Sequence, residues 1–234
     1  AEYGGRISSV LDVRQKDGNA NSHHTSGGIG LISSRLMIEG PMWNKSSFMI
    51  AGRRSYGDLF LKLSPDSAIN NNQLYFYDLN MKFNTWLGDR DRVFLSSYSG
   101  RDAFKFGDMF SSSWGNTTLN ARWLHLFSDR LTANLSYNLN NYDYLISVDQ
   151  EAFQFDWVSK IKNHKLKYNL SYYHSNEHQF KFGASLNTYQ FEPGLISPLT
   201  DTSVVNSFQM RNKFAYEPAI FAQDEWKVSE RLLV

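Results

Sequence analysis

Apolar and polar residues alternate one by one along most of this chain, in runs of about 9 to 15 residues. That period of two leaves little room for anything but long β-strands. In "RLTANLSYNLNNY", Leu131, Ala133, Leu135, Tyr137 and Leu139 share one face, and Thr132, Asn134, Ser136, Asn138 and Asn140 share the other. "KLKYNLSYY" sets Leu166, Tyr168, Leu170 and Tyr172 against Lys165, Lys167, Asn169 and Ser171. "YFYDLNMKFNTWLG" sets Tyr75, Tyr77, Leu79, Met81, Phe83 and Leu87 against Asp78, Asn80, Lys82 and Asn84, and "FKFGASLNTY" adds Phe180, Phe182, Ala184 and Leu186. Helical periodicity is almost absent. Strands of soluble proteins usually run about 5 to 6 residues, whereas a tilted strand needs roughly 9 to 11 to cross a bilayer. The polar faces carry Asn, Lys and Ser, which suits a wet lumen better than the solvent face of a sandwich.

The links sort by length. Short polar ones fall at 40–46, 88–92, 127–130, 174–178 and 228–231; longer ones are expected near 64–73, 106–114, 145–152 and 192–212. Alternating short and long links match the periplasmic turns and extracellular loops of an outer-membrane barrel. The expectation is all-β: about ten strands and the start of another. Residues 22–40 read as a hairpin bending near Gly28–Leu31, or as one long strand. The segment 55–63 reads as a strand end or a short loop helix. The alternation slips by one around Lys162–Lys165, where a bulge is expected.

Composition narrows the function classes. Lys plus Arg (24) nearly balance Asp plus Glu (23), leaving a net charge of +1. A nucleic-acid binder usually shows a basic excess or stripe. The absence of cysteine excludes a disulfide scaffold, a thiolate zinc site and a cysteine nucleophile. No apolar run reaches the roughly 18 residues of a spanning helix. The mean hydropathy of −0.46 is no objection to a barrel, because alternation averages its lipid face away. "AEYGGR" has neither the basic nor the apolar region of a signal peptide.

One stretch mimics a metal site. His174, Glu177 and His178 spell H-x-x-E-H, which binds zinc only on a helix. Here Ser175 and Asn176, both turn formers, separate two alternating segments, so a corner is expected. His23 and His24 are strand neighbours pointing to opposite faces, and only one of them could line a pore. His125 reads as an interfacial residue beside Trp123 and Phe127. No G-x-S-x-G elbow appears, and the Gly4–Gly5 and Gly27–Gly28 pairs are not phosphate loops. The N-x-S/T triplets at Asn44, Asn116, Asn134 and Asn169 read as chance in an Asn-rich chain. Aromatics make up 15% of residues. Tyr75, Tyr77, Trp86, Trp123, Phe127, Tyr142, Tyr144, Tyr172, Tyr173, Tyr189, Phe191 and Trp226 lie near expected strand ends, where interfacial girdles belong.

At the N-terminus the residues support a resemblance. "EYGGRISSVLDVRQKDGN" (2–19) followed by "GGIGLISSRLMIEGPMWNKSSFMIAGRRSY" (27–56) resembles the plug-to-barrel junction of TonB-dependent outer-membrane receptors, especially the Bacteroidota type. "FAQDEWKVSERL" (221–232) resembles a strand-turn-strand that falls near mid-barrel in that family. The resemblance implies that residues 1–20 end a plug domain with its last strand. Residues 21–234 would then form the first half of a barrel, about 10 to 11 strands of a likely 22. It further implies active uptake of a scarce nutrient (siderophore, glycan, peptide or vitamin), powered through the TonB–ExbB–ExbD complex, in a Gram-negative outer membrane. Contacts with outer-membrane lipid and lipopolysaccharide follow, while no catalysis and no cofactor are implied. The links at 64–73, 106–114, 145–152 and 192–212 are the candidate ligand contacts. The TonB-contacting box, most of the plug and about eleven strands are not matched, so the sequence reads as a fragment. Its barrel edges would be covered by more chain or by another outer-membrane protein. The alternative is a smaller closed barrel of 10 to 12 strands acting as a hydrolase or adhesin, disfavoured because its lumen lacks room for the first 20 residues.

Overall fold

Where side chains alternate, the backbone forms ladders. The computed structural model describes residues 9–229 and 232–234. Its elements are β1 (His24–Ile29), β2 (Ser33–Pro41), β3 (Ser46–Ser55), α1 (Gly57–Leu61), α2 (Ser67–Asn70), β4 (Gln73–Leu87), β5 (Asp91–Phe106), β6 (Phe110–Ser128), β7 (Leu131–Gln150), β8 (Phe153–Tyr173), β9 (His178–Pro198), β10 (Phe208–Gln209), β11 (Lys213–Ser229) and β12 (Leu232–Leu233). All pairings are antiparallel, and the strands lie in chain order from β1 to β12, with β10 added beside β9. Strands β1 and β12 end the sheet and do not pair with each other, so it is open.

This sheet is a single layer. Among the described residues the buried apolar side chains are Met49, Phe94 and Ala133, while Leu119, Trp123, Leu166, Phe182 and Leu186 stay more than 40% exposed. A sheet with one apolar face must cover that face with another layer; none is present, and hydrocarbon serves instead. The ladder carries the apolar residues across neighbouring strands on one face. Trp123 opposes Leu135, which opposes Tyr168. Tyr137, Leu166 and Leu186 form the next rung. On the other face Asn134 opposes Asn169, and Asn138 opposes Lys165.

Two expected links are not loops. Strand β5 runs to Phe106, which pairs with Phe110, and residues 107–109 form the whole connection. Gly107 adopts φ +54°, a left-handed conformation open to glycine. Likewise β7 continues to Gln150, which pairs with Phe153. Ser111 to Ser113, Ser147 and Asp149 read as loop, yet they stand in regular register on strands of up to 20 residues, and only Asp108 falls in the turn. That is about twice what a bilayer needs, so the strands continue past the membrane. In 192–212, β9 extends to Pro198 and the irregular chain begins only beyond it. The 64–73 link is real, and holds α2. The 22–40 hairpin turns at residues 30–32, and 55–63 contains α1.

The expected bulge near Lys162–Lys165 is also corrected. Strand β8 pairs with β7 without a shift from Phe153 to Tyr172. The irregularity lies in β9, where Val158 faces Leu195 and Lys160 faces Glu192, so Pro193 and Gly194 together oppose Ser159. The Ser159 hydroxyl donates to the Pro193 carbonyl at 2.6 Å. The slip in alternation has another cause. Below His164 the outward residues of β8 are Leu166 to Tyr172; above it they are Lys162, Lys160, Val158 and Asp156. The outer face changes from lipid to water while the strand continues unbroken.

Short turns close the opposite end at 42–45, 88–90, 129–130 and 174–177. In the first, the buried Ser46 hydroxyl accepts from the Trp43 amide and donates to its carbonyl, both at 2.8 Å. Ser46→Ala is expected to lower stability by about 1 kcal/mol, read as a shift in the unfolding midpoint in detergent. Lys45 bridges to Asp89 of the second turn at 3.0 Å, and its hydrogen bond and charge hold that carboxyl below the usual range. The H-x-x-E-H stretch forms the fourth turn: the His174 amide donates to the His178 carbonyl at 3.1 Å. His178 instead pairs with Asp224 at 2.8 Å, and no metal-binding cluster exists among the described residues.

Candidate functional site

The inner face is identified by what sits on it. Residues 9–19 carry no strand, so the plug strand expected over 1–20 is not seen among the described residues, and residues 1–8 lie outside them. A plug strand needs plug neighbours to pair with. This segment is held instead by side chains. Lys16 bridges to Glu39 at 2.7 Å. Asp17 bridges to Lys82 at 2.6 Å and to Arg92 at 3.0 Å. Gln15 donates to Asn80 at 2.9 Å, and Lys82 donates to the Gln15 carbonyl at 2.6 Å. Gly18 is buried against β3, where an added Cβ would overlap the Phe48 carbonyl.

Beneath this segment three cations surround one ring. Arg122, Arg92 and Lys82 lie 3.9, 4.6 and 5.9 Å from the Phe94 centroid. Asp17 is the anion that two of them share.

Further along the inner face, on β6 to β9, amides stand among the inward lysines Lys165, Lys167 and Lys181. Asn120 donates to Asn138, Thr118 to Asn140 at 2.7 Å, and Asn163 to Asn187 at 3.0 Å. Asn187 in turn donates to the Tyr189 hydroxyl at 2.8 Å.

Above the amides the same face becomes aromatic. Register places Trp114 opposite Tyr144, and Ile161 between Tyr142 and Phe191. Tyr144 and Trp157 approach to 6.4 Å between centroids, Phe104 and Phe110 to 6.3 Å, and Tyr189 stacks on Phe191 at 5.7 Å. Trp157 lies over Gly194, where a Cβ would come within 2.6 Å of its indole nitrogen. The bulge glycine thus leaves room for the ring to approach the backbone of β9.

This arrangement corrects the girdle expected from sequence. Tyr75, Tyr77, Trp123, Phe127, Tyr172 and Trp226 share the outward phase, and His125 packs between Trp123 and Phe127 as expected, at 5.6 and 4.5 Å. Tyr142, Tyr144, Tyr189 and Phe191 point inward instead, as do Tyr173 and Trp86; the Arg92 guanidinium lies 5.4 Å over the Trp86 ring. Alternation gives the parity of a residue, but lipid does not cover the strands at that height.

The ends of two expected links, 106–114 and 145–152, supply Phe106, Phe110, Trp114, Ile146 and Val148 to the wall as strand residues. Of the other two links, 64–72 and 199–207 lie beyond the strand ends and outside the wall's ladder, and Gln73 opens β4. A hollow of about 870 Å³ lies elsewhere, between β1 and β4 beside the open edge, and is lined by Gly27, Gly28, Leu36, Ile38 and Leu79 among others.

No protein-family model and no curated protein matches the chain. Among solved structures it is similar to BauA, the ferric preacinetobactin receptor from Acinetobacter baumannii, with TM-score 0.57 and 11% identity, over 90% of this chain and 40% of that one. It is also similar to the siderophore receptor PiuA from Acinetobacter baumannii, with TM-score 0.56 and 9% identity, over 92% and 41%. The outer membrane protease OmpT from Escherichia coli overlaps 82% of each chain, but a TM-score of 0.37 carries no argument. The chain thus spans about two fifths of each of the two receptors. Over that span its open antiparallel sheet has the fold of TonB-dependent receptor barrels.

Proposed function

We propose that this chain is the plug-to-barrel junction and first barrel half of a TonB-dependent outer-membrane receptor of the Bacteroidota type, which takes up a scarce nutrient. The observation that carries the reading is the segment 15–18, held on the inner wall through Glu39, Lys82 and Arg92. A barrel that already seats its own chain in the lumen is built to be occluded and opened. In this reading residues 1–20 end the plug, residues 21–234 form barrel, and TonB–ExbB–ExbD supplies force through plug residues upstream. Outer-membrane lipid and lipopolysaccharide surround the outward face. Further strands, from the same protein or another, complete the sheet at β1 and β12. The chain catalyses no reaction. The segments 64–73 and 192–212 join the wall in contacting ligand. The hydrolase or adhesin alternative finds no support in the seated segment, because a closed barrel of this strand number fills its interior with side chains.

Energy dependence tests the reading. Cells expressing the full-length receptor that contains this chain are expected to accumulate its radiolabelled ligand only with TonB present and the inner-membrane proton gradient intact. Accumulation that persists in cells lacking TonB would overturn the proposal, as would release of the protein from membranes without detergent.

A further inference from the structure

Two constellations on the outward face repeat each other. Beside the turn at 88–90, Asp91 of β5 faces His125 of β6 in register, and the His125 Nδ1 lies 2.7 Å from Asp91 Oδ1. The Trp123 indole donates to the same oxygen at 2.8 Å. His125 stands between Trp123 and Phe127. Beside the turn at 174–177, the His178 Nδ1 lies 2.8 Å from Asp224 Oδ2 on β11. This second imidazole stands between Phe180 and Trp226, stacked on them at 6.1 and 5.5 Å between centroids. Each station holds one carboxylate, one imidazole and two further rings, at the end of the sheet that the short turns close. On a single-layer sheet no protein lies over these groups, and aromatic residues at this height mark the level of the lipid headgroups.

The polar atoms left open at both stations are of one kind. A carboxylate only accepts, so the proton of each imidazole sits on Nδ1 and Nε2 is left as a second acceptor. Asp91 Oδ2 and Asp224 Oδ1 receive no donor among the described residues, and no lysine or arginine among them bridges to either aspartate. Acceptors at the edge of hydrocarbon are costly to leave unpaired. A cation that meets them also gains from ring faces within about 6 Å. One aspartate and one histidine are too few to hold a metal ion, and no metal-binding cluster exists among the described residues. An anionic headgroup would meet a carboxylate, and a quaternary ammonium has no N–H to give. A primary ammonium brings three donors and a positive charge, which suits the open carboxylate oxygen, the Nε2 atom and the rings together. We propose that each station binds the headgroup ammonium of phosphatidylethanolamine in the leaflet on the short-turn side. The proposal goes beyond the uptake reading: it rests on the outward face meeting lipid and not on what passes through the lumen.

The test is native mass spectrometry of the full-length receptor in detergent, titrated separately with phosphatidylethanolamine, phosphatidylcholine and phosphatidylglycerol of identical acyl chains. Asp91→Asn and Asp224→Asn are each expected to weaken one phosphatidylethanolamine site about tenfold. The double variant is expected to lose both, with binding of the other two lipids unchanged. His125→Phe and His178→Phe keep a ring and remove the acceptor, and are expected to weaken the same two sites; they give a second readout where asparagine disturbs folding. Phosphatidylethanolamine binding that matches the wild type in either folded pair would overturn the proposal. An equal loss of all three lipids would overturn it as well, because it would mark apolar packing without recognition of the headgroup. A loss confined to phosphatidylglycerol or phosphatidylcholine would refute the ammonium assignment.

Discussion

Leu135→Arg is expected to destabilise the full-length receptor by about 2 to 4 kcal/mol if the residue lies near the bilayer midplane. Leu135 sits in mid-ladder between Trp123 and Tyr168, on the face where Tyr137 and Leu166 form the adjacent rung. With no second protein layer behind that face, an arginine there has only hydrocarbon to enter. Its neighbour provides the control. Asn134 pairs with Asn169 on the inner face, so Asn134→Arg meets a wet lumen and is expected to cost much less. Unfolding by denaturant in lipid vesicles reads both variants. Equal small effects at the two positions would remove the membrane from the account. A cysteine at each position gives an independent check, because a bilayer-confined reagent is expected to label 135 and spare 134.

The second large effect is expected at Gly18. An added methyl group there would collide with backbone, the Phe48 carbonyl of β3, rather than with the tip of a flexible side chain. Forced overpacking of this kind costs roughly 1 to 3 kcal/mol, unless the segment lifts away from the wall. Lifting would pull Asp17 from Lys82 and Arg92 and leave these two of the three cations around Phe94 without their shared anion. Gly18→Ala is therefore expected to abolish a Gln15–Asn80 cysteine cross-link that forms efficiently with Gly18 in place. It is also expected to expose residues 9–19 to protease in the full-length receptor. Unchanged cross-linking would show that the junction does not depend on close approach at this residue. Asp17→Asn should give a milder version, because Asp17 is partly exposed and water screens some of its attraction.

The membrane-spanning part of this fold was legible in the sequence because two environments enforce one pattern. Leu135 and Asn134 are assigned to opposite faces by alternation alone, and the ladder agrees. The upper wall was not legible for a physical reason. Tyr142 and Tyr144 alternate as regularly as the lipid-facing residues below them, so parity marks a face without saying what touches it. The signal was present in their neighbours. Along β8 the outward series changes from Leu166 to Lys162 and Lys160, and on β7 Asp143 lies between the two tyrosines. Charge crossing to the outward parity marks the height at which lipid ends, and hence the height at which inward rings become available to ligand. The same oversight made loops of 106–114 and 145–152, whose polar residues are the water-facing half of protruding strands. The motif of the seated segment marks it as a junction, but its ion pairs join residues 23 to 75 positions apart and have no local signature.

In the proposed uptake reading, the length of the strands bears on how quickly and firmly the full-length receptor captures its cargo. Because the rings of the mouth stand on hydrogen-bonded ribbons instead of mobile loops, little chain entropy remains to be lost when a ligand docks, and preorganisation of this kind favours affinity. Encounter would then be governed by diffusion to a rigid funnel, with slow steps reserved for the opening of the passage beneath it.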